Sequence, residues 1–167
     1  MKKEIKTEIV INATPEKIWT LLTDFKNYSN WNPFIKSITG EVVVGNTITA
    51  RIEPPDANGM TFKPKVLAFN SNKEFRWMGH FIFPGLFDGE HKFELTDNKN
   101  GTVTFTQSEK FNGILVSLFS KMLDTNTVNG FNAMNRKLKE MAEKKSSVEI
   151  VSAVTKKIQE FSKCLKA

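Results

Sequence analysis

Three polar residues on two neighbouring predicted strands could do chemistry in this sequence: His91, Gln107 and Glu109. Because side chains alternate along a strand, His91 shares a face with Phe93. By the same rule, Gln107 and Glu109 share a face with Phe105. An imidazole and a carboxylate in apolar surroundings have shifted proton affinities, so they can bind the polar end of a ligand or act as acid and base. The alternative is that the three side chains only satisfy one another or bind water.

Other catalytic or metal-binding patterns are missing from the sequence. It has no nucleophile triad, no glycine-rich phosphate loop and no metal-ligand spacing. His80 is predicted to lie on the opposite face to His91, and the single cysteine, Cys164, is far away in the chain. We therefore predict no metal site and no cofactor. If the protein is an enzyme, His91 and Glu109 are its predicted catalytic residues, but we favour binding without a reaction.

The residues around this polar cluster predict an apolar chamber. Counting back through the last turn between strands pairs His91 with Gln107. Counting through the preceding turn sets Gly79 near His91, so that Gly79 and Gly89 leave room above the cluster. Trp31 is a candidate gate, although packing is the commoner role for an aromatic between two short helices. The residues predicted to bind a ligand are Trp31, Phe75, Trp77, Phe81, His91, Phe93, Phe105, Gln107, Glu109, Leu123, Phe131 and Met134.

A long C-terminal helix, predicted over 113–145, covers one side of this chamber. Apolar residues recur along it at a spacing of three and four, which indicates a single buried face. They are Leu115, Leu118, Phe119, Met122, Phe131, Met134, Leu138 and Met141. The segment 124–129 is polar apart from Val128, and this predicts a kink or a wet patch in the middle of the helix.

The chain before this helix has the pattern of two short helices and a series of strands. Thr14, Pro15 and Glu16 mark the start of the first helix, because a hydroxyl cap, a proline and an acid are favoured there. A second short helix or turn follows at 24–30. The predicted strands cover 5–11, 35–44, 47–53, 60–69, 74–83, 87–96 and 102–111. We therefore predict an α+β fold in which a curved antiparallel sheet of about seven strands wraps around the long helix.

Length and charge limit the class of protein. A chain of 167 residues fits one domain with a core large enough to contain a cavity. No apolar run is long enough for a signal peptide or a membrane-spanning helix, so the cytoplasm is the expected compartment. The net charge of +6 is spread along the chain, and its longest lysine cluster, 137–145, alternates with acids. We therefore expect no nucleic-acid partner and no integral membrane association.

Three stretches carry a resemblance to a known superfamily. They are TPEKIWTLLTDFKNYSNWNPF after the first strand, LFDGEHKFEL, and TVTFTQSEKFNGIL before the long helix. The sequence resembles the START-like (SRPBCC) superfamily of polyketide cyclase/dehydrase and lipid-transport type proteins, which share the helix-grip fold. The resemblance covers roughly residues 3–145. It implies a deep, largely apolar cavity between the curved sheet and the long helix.

Three functions are compatible with this resemblance. The first is binding of a small hydrophobic ligand, such as a lipid, a polyketide or an aromatic compound, in the internal cavity. The second is an aromatase/cyclase or dehydratase-type enzyme that uses the same cavity without a metal. The third is a protein-interaction module of the coenzyme-Q-binding or ribosome-associated type. We favour the first, in a helix-grip domain formed by residues 1–145.

The remaining segment, 146–167, is predicted to form an additional amphipathic helix. Ser146 and Glu149 have the spacing of a capping box, which starts a new helix. Apolar residues then recur at Val151, Val154, Ile158, Phe161 and Leu165. A helix this short needs a partner for its apolar stripe. We expect a second subunit in a homodimer, then the protein's own domain, then an anionic membrane surface, in that order.

Overall fold

The computed structural model describes residues 1–54 and 58–144, together with Thr155 and Ile158. In this part of the chain the strands are β1 (Lys2–Ile11), β2 (Ile35–Thr39), β3 (Thr49–Ile52), β4 (Met60–Phe62), β5 (Lys65–Asn70), β6 (Glu74–His80), β7 (Asp88–Asp97) and β8 (Val103–Asn112). The helices are α1 (Pro15–Thr23), α2 (Tyr28–Trp31), α3 (Val116–Met122) and α4 (Val128–Glu143). A 3-10 turn (Phe25–Asn27) precedes α2, and a π-helical turn (Leu123–Thr127) joins α3 to α4. The predicted α+β architecture is confirmed.

The strands form two antiparallel sheets. The larger sheet has the order β1-β8-β7-β6-β5 and the smaller one the order β2-β3-β4. The segment before β3 joins them, because Thr47 bridges to Lys65 and the Ile48 N–H donates to the Pro64 carbonyl at 2.9 Å. Together they make one curved surface around the helices.

The structure has eight strands over the described residues, where about seven were predicted. The difference comes from the predicted strand 60–69, which is divided into β4 and β5 at Pro64. Proline has no N–H to donate to a ladder, so a strand commonly ends or changes partner at this residue. Here β4 pairs with β3 and β5 pairs with β6.

The pairing of β7 with β8 differs from the predicted register by two residues. His91 lies opposite Glu109, where Gln107 was expected, and Phe93 lies opposite Gln107. The connecting turn sits one residue later in the sequence than predicted, and its ends are joined by the Asn98 N–H, which donates to the Thr102 carbonyl at 3.0 Å. A two-residue shift keeps every side chain on its predicted face.

The pairing of β6 with β7 is also shifted by two residues. Gly79 lies opposite Gly89, where His91 was expected, and Trp77 lies opposite His91. The inward face of the larger sheet is therefore built from the residues that alternation predicted, but their cross-strand neighbours are different.

The helices close the core on the inner side of the sheets. The apolar stripe of α4 is fully buried at Phe131, Met134 and Leu138, which confirms the predicted buried face in this half of the long helix. In the first half the prediction is wrong for two members of the stripe, because Leu118 is 72% exposed and Met122 is 44% exposed. The kink or wet patch predicted over 124–129 corresponds to the π-helical turn. This turn is a short wide segment inside an otherwise regular helix, a feature that is frequent near functional sites.

The first helical pair is held by local hydrogen bonds. The Lys17 N–H donates to the Thr14 hydroxyl at 3.3 Å, so the predicted N-cap of α1 is confirmed. At the other end of α1, the buried Tyr28 hydroxyl donates to the Leu22 carbonyl, one of the groups that a helix end leaves unpaired. Burial raises the pKa of Tyr28 far above its usual range, so the hydroxyl keeps its proton.

Most of the predicted C-terminal extension, including the capping box at 146–149, lies outside the described residues. Of its apolar stripe only Ile158 is described; it is helical and 63% exposed in the single chain. No helix in the described part of the chain is long and apolar enough to cross a membrane.

Candidate functional site

A cavity of about 290 Å³ lies between the smaller sheet, the inner face of β6 to β8, and the segment formed by α3 and the π-helical turn. Its exposed members, Asn58, Met60, His80 and Met122, mark the mouth. Its walls are formed by Phe34, Ile52, Pro54, Phe62, Trp77, Gly79, Phe81, Phe87, Gly89, Glu109, Phe111, Phe119, Leu123 and Thr127. These walls are almost entirely apolar and aromatic, which is typical of sites for small organic ligands.

Two glycines on paired strands make room for this cavity. Gly79 and Gly89 lie opposite one another on β6 and β7. A Cβ atom at Gly79 would meet only Pro64, at 3.7 Å, so this position opens into free space. A Cβ at Gly89 would lie 2.6 Å from Oε1 of Glu109, so a side chain there would displace the carboxylate from its present position. Gly79 therefore leaves room as predicted, whereas the space at Gly89 is taken by the Glu109 carboxylate.

Glu109 is the polar side chain that reaches the inner wall of the cavity from the larger sheet. It lies on β8, and its side chain is 14% exposed. Its Oε2 atom is 3.3 Å from Nδ1 of His91, which lies opposite on β7. The carboxylate thus faces the cavity on one side and a buried imidazole on the other.

The hydrogen bonds of His91 indicate its tautomer. Nε2 of His91 is 3.3 Å from Nε2 of Gln107, and an amide nitrogen can only donate. With the amide in this orientation, Nε2 of His91 accepts, and Nδ1 carries the proton that is donated to Glu109. The Oε1 atom of Gln107 is buried and has no partner within the described part of the chain.

Aromatic rings hold His91 on three sides. Trp77 stacks on the imidazole with a centroid distance of 4.5 Å and an interplanar angle of 9°. Phe93 and Phe131 meet the same ring edge to face, at 4.7 Å and 5.2 Å. His91 is fully buried and does not line the cavity, so it can act on a ligand only through Glu109.

The residues predicted to bind a ligand fall into two groups. Trp77, Phe81, Glu109 and Leu123 line the cavity. The second group is buried and does not contribute to the lining of this cavity: Trp31, Phe75, His91, Phe93, Phe105, Gln107, Phe131 and Met134. They form the core behind the cavity wall. Contact between any of these residues and a ligand stays a prediction.

Several lining residues were missed by the sequence analysis. Phe111 follows Glu109 by two positions, so the same alternation rule would have found it. Phe119 and Met122 belong to the apolar stripe of the long helix, but the stripe does not show that this part of it covers the cavity. The members from the smaller sheet, such as Met60, carry no sequence signal of their own.

His80 is exposed, as its strand position predicted, and it also lies at the rim of the cavity. Its Nδ1 atom is 2.7 Å from Oδ1 of Asp88. Within the described residues, no three side chains of histidine, cysteine, aspartate or glutamate come together in a way that could hold a metal ion.

The sequence matches a known family over most of its length. The family model described as "Polyketide cyclase / dehydrase and lipid transport" matches residues 2–143. The chain belongs to this family. The resemblance to polyketide cyclase/dehydrase and lipid-transport type proteins is therefore confirmed, and the match ends at the last residue of α4. No curated protein matches the sequence.

Solved structures of other proteins share the fold. The di-domain ARO/CYC BexL from the BE-7585A biosynthetic pathway is 11% identical, with a TM-score of 0.69 over 87% of this chain and 51% of BexL, so the chain spans about half the length of that protein. The Zhui aromatase/cyclase from Streptomyces sp. R1128 is also 11% identical, with a TM-score of 0.66 over 86% of this chain and 94% of Zhui.

The structure of a synthase is similar to the same extent. A point mutant of norcoclaurine synthase from Thalictrum flavum, in complex with a transition state analogue, is 14% identical, with a TM-score of 0.65 over 85% of this chain and 94% of the synthase. At these identities the likeness shows a shared fold. The activity of this member of the polyketide cyclase/dehydrase and lipid transport family has to be argued from its own site.

Proposed function

We propose that this family member binds a small hydrophobic ligand in the cavity between its sheets and the α3 segment. The observation that carries the proposal is the composition of the cavity, which has apolar and aromatic walls and a single inward carboxylate on the sheet side. Burying apolar ligand surface against such walls is favourable by about 25 cal/mol per Å². The open mouth at Met60 and Met122 gives a ligand access.

The size of the cavity limits the ligand. A volume of about 290 Å³ is at the lower end of the roughly 300–1,000 Å³ range of small-molecule sites. This favours a compact ligand, such as a molecule with one or two aromatic rings, over a lipid with two long chains. The family description and the aromatase/cyclase neighbours are consistent with ligands of this kind.

A blocked cavity tests the proposal. The neutral fluorescent probe N-phenyl-1-naphthylamine should bind the wild-type protein with low-micromolar affinity. Gly79→Leu directs an apolar side chain into the cavity, because position 79 shares the inward face of Trp77. The new side chain should fill space that the probe needs, so probe binding should weaken at least about tenfold. Thr96→Leu is the matched control, since Thr96 is exposed on β7 and away from the cavity. Equal probe binding by a folded Gly79→Leu variant would contradict the proposal.

A second candidate function is an aromatase/cyclase or dehydratase-type reaction in the same cavity. The contact of His91 with Glu109 favours it, because an imidazole behind a carboxylate can orient that carboxylate as a general base. Glu109 would touch the substrate, and His91 would position Glu109. The two candidates differ in what happens to a ligand that copurifies from the natural host. Recovery of the ligand unchanged supports binding, whereas conversion that Glu109→Gln abolishes supports the enzyme.

A further inference from the structure

We propose that the cavity selects hydrophobic molecules that carry a hydrogen-bond donor or a positive charge at one end, such as an amine, a phenol or an alcohol. Glu109 is the anchor for that group. The same arrangement excludes hydrophobic carboxylates, including fatty acids. This inference rests on the proposed function, because it concerns the ligand that the cavity takes.

The charge at the inner wall of the cavity is negative. Glu109 is the acidic side chain among the described lining residues, and no lysine or arginine of the described residues lines the cavity. The other polar lining residues are uncharged or lie at the mouth: Thr127 is a buried neutral hydroxyl, and His80 and Asn58 are exposed. His80 is also engaged with Asp88. A carboxylate ligand would therefore find no cation inside and would lie beside a second carboxylate, whereas an ammonium group or a hydroxyl would find an acceptor.

Glu109 has free capacity to accept hydrogen bonds from a ligand. Within the described part of the chain, His91 is the group that hydrogen-bonds to it, through Oε2. The other oxygen, Oε1, lies over Gly89 at the cavity wall. An ionised carboxylate offers about four lone-pair sites, so one bond to His91 leaves acceptor sites that face the cavity. A donor on the ligand would satisfy a partly buried group that apolar walls cannot satisfy.

The groups behind Glu109 hold its position. His91 is stacked on Trp77 and enclosed by phenylalanine rings, so its Nδ1–H has a fixed direction. That N–H orients the carboxylate, and Gln107 occupies the far side of the imidazole. The anchor is therefore held in place before a ligand arrives, which reduces the entropic cost of binding. This rigid support lets a single carboxylate discriminate between ligand head groups.

Three probes with the same ring system test the inference: 1-naphthylmethylamine, 1-naphthylmethanol and 1-naphthoic acid. At neutral pH they carry a cation, a neutral donor and an anion on the same apolar body. Isothermal titration with the full-length protein should show that the amine and the alcohol bind at least tenfold more tightly than the naphthoate. In Glu109→Gln the preference for the amine over the naphthoate should shrink to within threefold, mainly because the amine loses its partner.

Glu90→Gln is the matched control, because it makes the same change in net charge as Glu109→Gln. Glu90 lies on β7 next to Gly89 and pairs with Arg76 away from the cavity. It should keep the wild-type ranking. Equal affinity of the wild-type protein for the naphthoate and the amine would overturn the inference and leave the proposed function standing. If none of the three probes binds, the proposed function fails as well. The wild-type ranking decides the question even if Glu109→Gln does not fold.

Discussion

Single polar side chains at the end of α4 tie this helix to the first strand. The Asn12 N–H donates to Oε1 of Glu143 at 2.8 Å, and Lys139 lies 3.0 Å from the same carboxylate. Lys139 also donates to the Val10 carbonyl at 2.6 Å. The hydrogen bond from Asn12, followed by the one from Lys139, lowers the pKa of Glu143 below the ordinary value of 4.5. The ionised form of Glu143 is therefore favoured by folding.

Glu143→Gln should lower the free energy of unfolding at neutral pH by about 0.5 to 1 kcal/mol, as expected for a surface charge pair with one backbone hydrogen bond. Because the folded pKa lies below the unfolded one, the contribution of Glu143 is fully present above the unfolded value of 4.5 and is lost as the pH falls through the folded pKa. The difference between wild type and variant should therefore shrink in acid. Urea denaturation at neutral pH and at about pH 3 measures it.

Glu140→Gln is the control for this prediction. Glu140→Gln removes the same charge from the same helix, but within the described residues the hydrogen bond and ion pair of Glu140 are with Lys137 on the exposed face of α4. It should have little effect on stability. An equal loss in both variants, or a difference for Glu143 that persists in acid, would show that the link to Asn12 is not what stabilises the helix end.

At the scale of single residues, the sequence predicted which polar side chains share a face of the sheet. Strand alternation alone placed His91, Gln107 and Glu109 together on the inner side of the sheet, as the structure has them. It did not show that only Glu109 reaches the cavity. That depends on the cross-strand register, which is set by the position of a turn, and on where the α3 segment covers the sheet. Neither is encoded in the spacing of polar residues.

A close contact between a helix and a strand segment depends on one glycine. Gly130 lies in α4, and a Cβ there would come within 2.2 Å of Cδ2 of Phe34. The Phe34 ring is almost fully buried and packs edge to face on Phe131 at 5.3 Å. The absence of a side chain at position 130 lets this ring lie directly on the helix. Phe34 also lines the cavity, so the same contact shapes the cavity wall.

Gly130→Ala should therefore lower the stability by about 1 to 3 kcal/mol, the usual cost of overpacking a core. In an ordinary helix interior the same change would raise stability by about 1 kcal/mol. Thermal unfolding followed by circular dichroism would measure the effect. Asn129→Ala, an exposed neighbour on α4, is the control for helix propensity and should be neutral or stabilising.

A double-mutant cycle identifies the clash as the cause. Phe34→Leu replaces the ring that Gly130 accommodates with a smaller side chain. It should therefore lower the free energy of unfolding less in the Gly130→Ala background than in the wild type. Additive effects of the two changes would mean that Gly130 acts through helix propensity or another neighbour, and would contradict this account of the contact.

At the scale of elements, the sequence predicted the types of the helices and strands better than their boundaries. The cap of α1 and the buried face of α4 follow from local chemistry, and both are confirmed. The division of one predicted strand into β4 and β5 follows from Pro64, whose effect was overlooked although it is a sequence signal. The exact form of the irregularity before α4 could not be predicted, because the polar and β-branched residues of 124–129 lower helix propensity without specifying a π-helical turn.

For the molecule as a whole, the described apolar core lies within the part of the chain that matches the family. The buried hydrophobic residues of the described core cluster run from Ile5 to Ala142. They connect both sheets, α1 and α4 in a single core. The described lining residues of the cavity also belong to this part of the chain. We therefore expect residues 1–145 to fold and to bind the proposed ligand without the predicted 146–167 helix.

We expect that removal of residues 146–167 leaves probe binding unchanged and converts a dimer into a monomer. The apolar residues at three-and-four spacing along this segment predict a helix that is marginal on its own and needs a covering surface. Ile158, on that stripe, is largely exposed in the single chain, so a second subunit is the favoured cover. Light scattering at tens of micromolar should give the mass of a dimer for the full chain. The full-length variant Phe161→Asp places a charge in the apolar stripe and should also be monomeric. A monomeric wild-type protein would exclude the homodimer, and the helix would then pack on its own domain.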